Sequence, residues 1–266
     1  MRNSRFTPSP IFFLIQIDFA PAHLTLESAL ERRDFLKVMG ASIATVATTA
    51  LPQSFLDAAN AASVNTIIRL PESDIARFAW TVDDGCSHEA VKSYINFVAD
   101  NDLRLTFFVY GAISPWQTNA KLLKPFVESG QIQLANHTMH HPLLTKLSAK
   151  QVQKELMDCH NFMERRFGID AKPYYRPPYG GINAQVIDAA AEIGYTKPML
   201  WSGTLADSGK VGSAKFMSLA RAGIRDRGIV LGHANNMVAP NHFDRLLDIV
   251  NSRGLSTVTL TDAFDV

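Results

Sequence analysis

Between residues 77 and 260 the chain alternates short runs of β-branched and aromatic residues with longer runs of helical period. The spacing predicts seven strands, over 77–82, 103–109, 131–135, 173–176, 197–202, 229–231 and 256–260. Over 148–167, Val152, Leu156, Cys159, Met163 and Phe167 fall on or near one helical face. Ser148 and Gln151 make a capping-box pattern at its start, and Gly168 stops it. The stretch 183–193 repeats the scheme, with Asn183 as N-cap and Gly194 as stop. Such regular alternation predicts a parallel sheet with helices packed outside it, either an open doubly wound sheet or a closed barrel. No GxGxxG or GxxxxGK[ST] loop follows a strand, so nucleotide binding has little support. No low-complexity linker breaks the pattern, and residues 63–266 read as one domain.

Residues 1–62 do not share this pattern and read as an N-terminal extension with an export signal. Glu31-Arg32-Arg33-Asp34-Phe35-Leu36-Lys37 precedes a run of small, mildly apolar residues over 38–51, and Ala59 and Ala61 flank Asn60. Charged front, apolar middle and small-residue end resemble a twin-arginine signal cleaved after Ala61, which implies a periplasmic or secreted protein. Thr45, Thr48 and Thr49 are poor helix formers, which argues against an ordinary helix here. The apolar patch over 11–20 is interrupted by Gln16 and Asp18. It falls short of the roughly 20 residues a bilayer span needs, so no integral membrane segment is expected in the mature chain.

Composition narrows the partners. With 26 Lys+Arg against 25 Asp+Glu the net charge is +1, so no summed field gathers nucleic acid or anionic lipid. The 47% hydrophobic content supports a buried core, and the two cysteines, Cys86 and Cys159, are too few for a disulfide framework.

The candidate chemistry sits where the predicted strands end. Asp83 and Asp84 follow the first, Asn136, His137, Thr138, His140 and His141 the third, Arg176 the fourth, Asp207 the fifth and His233 the sixth. In parallel α/β folds the loops at the carboxyl ends of the strands converge on one face, and ligands bind there. Adjacent carboxylates repel unless a cation or proton relieves them. His137 and His141 can direct both imidazoles to one point, and Pro142 disfavours helix at His141, which favours a tight loop. Two histidines and a carboxylate with an open position make a catalytic divalent-metal set. His140 reads as solvent-facing or as a support to the ligands.

Five motifs carry a resemblance. Thr81-Val82-Asp83-Asp84-Gly85, His137-Thr138-Met139-His140-His141-Pro142, Arg176-Pro177-Pro178-Tyr179-Gly180, Trp201 with Asp207, and Leu231-Gly232-His233 resemble, in order, those of the polysaccharide deacetylases of carbohydrate esterase family 4, the NodB homology domain. The likeness covers about 75–266 and implies a distorted (β/α)7-type barrel with a parallel sheet. It implies that Asp84, His137 and His141 hold one divalent ion, zinc, with cobalt, nickel or manganese as alternatives. It makes Asp83 the general base, aimed by Arg176, and His233 the general acid, supported by Asp207. The Tyr179 backbone N–H would stabilise the oxyanion, while Trp201 and Leu231 would wall a pocket for the acetyl methyl. The implied partner is an acetylated polysaccharide, and the implied reaction is removal of N-acetyl groups from an amino-sugar polymer such as peptidoglycan or chitin-type chains. Alternatives are an O-acetyl esterase on xylan-like polysaccharide and a noncatalytic exported polysaccharide-binding protein. Val82, Cys86, Thr204 and Ser208 depart from the family pattern. Those changes bear on the groove wall more than on the chemistry. Cys86 reads as a packing residue, and a Cys86–Cys159 disulfide is left open.

The export reading has a direct test. Arg32→Lys together with Arg33→Lys is expected to leave the precursor in the cytoplasm in cell fractionation, and unchanged export of this double variant would overturn it.

Overall fold

The computed structural model describes residues 65–264. The Arg32-Arg33 segment, the small-residue run and the Ala59–Ala61 cleavage site lie outside the described residues. The elements in chain order are β1 (Arg77–Asp84), α1 (His88–Asp100), β2 (Leu105–Val109), α2 (Pro115–Thr118), α3 (Ala120–Glu128), β3 (Ile132–Asn136), α4 (Ala149–Phe167), β4 (Tyr174–Tyr175), α5 (Ala184–Ala191), β5 (Lys197–Pro198), β6 (Gly203–Thr204), α6 (Ser213–Gly223), β7 (Ile229–His233), α7 (Phe243–Ser252), β8 (Ser256–Thr257) and α8 (Leu260–Phe264). Both argued helices keep their caps. Gln151 Oε1 accepts from Ser148 N at 2.9 Å and Gly168 ends α4 at φ +75°. Asn183 Oδ1 accepts from Val186 N at 3.0 Å at the start of α5.

The sheet runs β5-β4-β3-β2-β1-β7-β6, and β8 lies along the start of β1. Every pairing is parallel, and the curled sheet with helices outside is the distorted (β/α)7-type barrel expected. Two predicted strands differ: 256–260 shortens to β8, with Leu260 opening α8, and 197–202 does not form one strand. The 197–202 run keeps a strand only at β5, and β6 follows it at Gly203–Thr204, because the chain here bonds to both free edges of the sheet. Met199 N donates to Tyr175 O at 2.8 Å on one side, and Ser202 N donates to Ile229 O at 3.0 Å on the other. One straight strand cannot reach both, so the chain bends and draws the edges together. The Ile67–Leu70 stretch covers the seam: Leu200 N donates to Ile67 O at 2.8 Å and Leu70 N to Arg227 O at 3.0 Å.

Period-two alternation sorts the strands into two faces. Phe78, Trp80 and Val82 of β1, Leu105, Phe107 and Val109 of β2, and Ile132 and Leu134 of β3 join one cluster with residues of the surrounding helices, among them Tyr94, Leu123, Met163, Phe216 and Leu246. The alternate residues Ala79, Phe108, Ala135 and Ile229 pack with Val258, Leu260 and Ala263 in a second cluster that fills the base of the barrel. Helix α8 is pinned there, where Leu260 N donates to Thr106 Oγ1 at 3.2 Å and Asp262 pairs with Arg104 at 2.5 Å. With the base filled, the inner face opens toward the carboxyl ends of the strands.

Gly203 marks how tightly the seam is built. A Cβ there would lie 2.4 Å from the Gly223 Cα of α6, with no flexible side chain to give way. Gly203→Ala is therefore expected to lower unfolding stability by about 2–3 kcal/mol. Gly223→Ala, whose Cβ would meet Gly203 Cα at 3.1 Å, should cost less. Urea denaturation of the two variants checks the order.

Candidate active site and metal centre

Strand alternation alone would send Asp83 and Asp84 to opposite faces of β1. Asp83 follows Thr81 on the inner face, and backbone geometry brings Asp84 round to join it. Asp84 has φ +65° and Gly85 φ +93°, so the chain reverses as the strand ends. A Cβ on Gly85 would meet Trp116 Cζ2 at 2.3 Å, which leaves room only for glycine. Trp116, fully buried at the start of α2, donates its indole N–H to the Asp84 carbonyl at 2.9 Å and fixes the turn.

The loop after β3 brings two imidazoles to the same place. Thr138 and His141 have φ of +70° and +57°, so the expected tight loop forms with His141 left-handed. Asn136 Oδ1 accepts from Thr138 N at 2.8 Å, and Thr138 Oγ1 accepts from His141 N at 3.0 Å. His137 Nε2 and His141 Nε2 lie 3.2 Å apart, and Asp84 Oδ1 lies 3.3 Å from the first and 3.1 Å from the second. A tetrahedral ion with bonds of about 2.0–2.1 Å needs donor atoms roughly 3.3 Å apart, so this triangle has the edge length of one face of a zinc site. The donors are also prepared for it. His137 Nδ1 donates to Arg176 O at 2.7 Å, which leaves the Nε2 lone pair facing the cluster. Asp84 Oδ2 accepts from Asn235 Nδ2 at 2.7 Å, while the buried Oδ1 has no hydrogen-bond partner. Burial pushes the Asp84 carboxyl up, but His137 and His141 more than reverse this and hold it far below the usual carboxylate range.

Two further pairs flank this triangle. Arg176, wholly buried, donates to Asp83 Oδ1 at 2.6 Å, to Thr81 Oγ1 at 3.0 Å, and to the Met199 and Leu200 carbonyls at 3.2 Å each. Asp83 Oδ2 is left facing His137 Nε2 at 3.6 Å. On the β7 side, His233 Nδ1 donates to Asp207 Oδ1 at 3.1 Å, so its Nε2 is the free nitrogen. Burial lowers the His233 pKa. Asp207, by hydrogen bond and charge, together with Asp83 and Asp84, outweighs that and raises it to about 9.

The remaining candidates are more scattered. Tyr179 is 71% exposed at φ +60°, its ring edge-on to His141 with centroids 4.7 Å apart. Its amide has no acceptor among the described residues. Trp201 packs against Gly180 and lies 5.8 Å from the Arg176 guanidinium, whereas Leu231 is buried on β7 opposite Thr81. His140 faces solvent and pairs with Glu155 at 3.0 Å. Cys86 is exposed rather than packed; partial burial and then Asp84 push its thiol up to about 11, and it and Cys159 are both free. Sequence reasoning missed Trp116, Asn235 and Tyr110, whose ring stacks on His141 at 5.4 Å. Asn235 lies two residues beyond His233 and was reachable by extending that motif. Trp116 and Tyr110 carry no local signal, because only the fold brings them to Asp84 and His141.

Comparison with known proteins agrees with the fold. The polysaccharide deacetylase family pattern matches residues 72–198. A peptidoglycan-N-acetylglucosamine deacetylase of Listeria monocytogenes is 30% identical over 206 residues, 74% of this chain and 41% of that protein. The chain thus spans less than half the length of this relative. A family 4 carbohydrate esterase from Streptomyces lividans superposes with a TM-score of 0.61 at 23% identity, over 70% of this chain and 93% of that one. A CE4 family pseudoenzyme from Bacillus anthracis superposes with a TM-score of 0.66 at 18% identity, over 75% of this chain and 69% of that one. The five ordered motifs, the curled parallel sheet and the family match lead to one assignment: residues 72–198 belong to a polysaccharide deacetylase domain, similar in fold to carbohydrate esterase family 4.

Proposed function

We propose that this chain is a divalent-metal-dependent hydrolase that removes N-acetyl groups from an amino-sugar polymer, peptidoglycan or a chitin-type chain, and releases acetate. The observation that carries the reading is the pairing of Asp83–Arg176 with His233–Asp207 on either side of the Asp84, His137 and His141 triangle. Such a set places a base and an acid around a three-donor cation site, which a protein that only bound polysaccharide would not need. Zinc is the ion proposed, cobalt, nickel and manganese being alternatives. When bound, the ion would supply Lewis acidity toward the acetyl carbonyl and the attacking water.

The protein's own groups handle the protons. Asp83, with Oδ1 held by Arg176, takes a proton from the attacking water through Oδ2. The exposed Tyr179 amide donates to the developing oxyanion; the prolines before it fix the loop but have no N–H to give. His233 delivers its Nε2 proton to the leaving amine, Asp207 stabilising the imidazolium through Nδ1. Trp201 and Leu231 are assigned to the wall that receives the acetyl methyl. The same groups would serve an O-acetyl ester, so acetate release is to be compared on N-acetylglucosamine oligomers, peptidoglycan and acetylxylan, with metal-stripped and metal-restored protein. No release from any of them after metal restoration would overturn the reading.

Neighbouring carboxylates are assigned different tasks, and mutation separates them. Asp83→Asn is expected to keep its metal but lose about 10²- to 10⁴-fold in rate, the range a positioned base contributes. Asp84→Asn should weaken metal binding, so that added metal partly restores the rate, and the His137→Ala, His141→Ala double variant should lose stoichiometric metal altogether. Metal analysis beside acetate release distinguishes them.

The pH profile follows from the raised His233 pKa. Activity should hold while His233 keeps its proton and fall as pH rises through that pKa. The limb should lie at or below the value of about 9 given by the protein's own charges, because a nearby dication favours neutral imidazole. His233→Ala should remove this limb and cost more on amides than on activated esters, whose leaving groups need little protonation.

A further inference from the structure

Three buried polar atoms behind His233 lack hydrogen-bond partners: Trp80 Nε1, Tyr94 Oη and Asp207 Oδ2. They are not scattered. A Cβ on Gly232 would lie 3.4 Å from the Tyr94 hydroxyl and 3.6 Å from Asp207 Oδ2, so phenol and carboxylate both border the space over the bare Cα of this glycine. Trp80 stands edge-on to Tyr94, the rings at 90° with centroids 6.3 Å apart. Its indole N–H acts on the phenol as a donor without closing a full hydrogen bond. Unmet polar groups in a low-dielectric interior are costly, and three in sequence with matching donor and acceptor character satisfy one another through a small shift or an intervening water.

We propose that Tyr94 is a positioning residue of the acid: its hydroxyl, oriented by Trp80, donates to Asp207 Oδ2, directly or through one water, and thereby holds Asp207 against His233 and tempers its charge. The polarity of this relay is fixed by chemistry. Indole N–H only donates, Asp207 as a carboxylate only accepts, and Tyr94 does both. Burial, and then the charge of Asp207, hold the Tyr94 pKa well above its ordinary value, so the phenol stays a neutral donor. The groups that bear on His233 are Asp207, Asp83 and Asp84, all of which raise its pKa. A general acid works best with a pKa near the operating pH, and a donor on the far oxygen of Asp207 draws charge away from the His233 side, against that rise. Gly232 belongs to the device because a side chain there would stand between phenol and carboxylate.

This inference rests on the proposed role of His233, and its test reads the imidazole directly. In zinc-loaded protein with labelled histidine, the His233 resonance, identified by its loss in His233→Gln, is titrated by NMR. Tyr94→Phe is expected to raise the His233 pKa by about half a unit to one unit. It should also lower kcat for acetate release about three- to tenfold with KM within about twofold, and move the basic limb of kcat upward. Gly232→Ala, which inserts a methyl group without removing the hydroxyl, should move the pKa in the same direction and provides the readout if the phenylalanine variant fails to fold. A His233 pKa unmoved in the folded variant overturns the relay even where wild-type protein releases acetate. A shifted pKa in protein that releases no acetate from any polymer upholds the relay and overturns the deacetylase reading instead.

Discussion

A guanidinium shut off from solvent holds the site together. Arg176 directly follows the short β4 and is wholly buried, yet its side chain spans the barrel to Asp83 and Thr81 on β1 and to the Met199 and Leu200 carbonyls of the seam. Its backbone joins β3 by donating to Asn136 O at 2.9 Å, and its carbonyl orients His137. Phe108 lies beneath, 4.0 Å from the guanidinium carbon to the ring centroid. Taking such a charge out of water is expensive, and burial draws its pKa down against the pull of Asp83. The cost is tolerable because nearly every donor finds an acceptor in fixed geometry. Removing either partner would leave an uncompensated buried charge, a loss of about 3–5 kcal/mol in comparable pairs. One residue therefore couples closure of the barrel, the aim of Asp83 and the tautomer of His137.

Backbone strain is concentrated at the same end of the barrel. Of the seven described non-glycine residues with positive φ, Asp84, Thr138, His141, Tyr179 and Ala206 lie in the loops that carry the candidate chemistry. Threonine, tyrosine and alanine gain nothing from the left-handed region, so each of these turns is held by contacts formed elsewhere in the fold. Asn136 and Thr138 hold the histidine loop, and Trp116 holds the Asp84 carbonyl. The strain is what lets residues four apart, or adjacent in sequence, converge on one point.

This pattern explains how far the sequence could be read. Strand positions, the caps of α4 and α5 and the strand-end location of the polar residues follow from periodicity and local side-chain chemistry, which are properties of neighbouring residues. Joining Asp83 to Arg176 and His233 to Asp207 as pairs came from the family resemblance, since no spacing rule connects residues 93 and 26 positions apart. The break after β5 and the restart at β6 were not legible, because the bend answers to two sheet edges and not to the residues that bend. Nor was Trp116, whose signal is a glycine 31 residues away with no room for a Cβ. Cys86 was misread as packed because it directly follows the buried run through Gly85, whereas the chain turns outward at Cys86 itself.

The acid and base of the proposed reaction occupy partner positions of adjacent strands. Asp83 of β1 stands in register with His233 of β7, both on the inner face at the carboxyl end of the barrel. Neighbouring strands lie about 4.8 Å apart, so the separation of these two groups is set by the backbone ladder and not by flexible loops. The histidine loop arrives from β3, on the far side of β1 from β7, and places the metal donors against Asp83. On the proposed reading, a substrate carbonyl approaching this rim would meet base, cation site and acid at intervals set by the sheet. On that reading the walls, Trp201 and the loops that carry Cys86 and Ser208, are the parts left to vary with the polymer. The proposed chemistry thus sits on the strand ends, and of the departures from the family pattern Cys86 and Ser208 lie in exposed loops, whereas Val82 is buried in β1 and Thr204 is half-buried in β6.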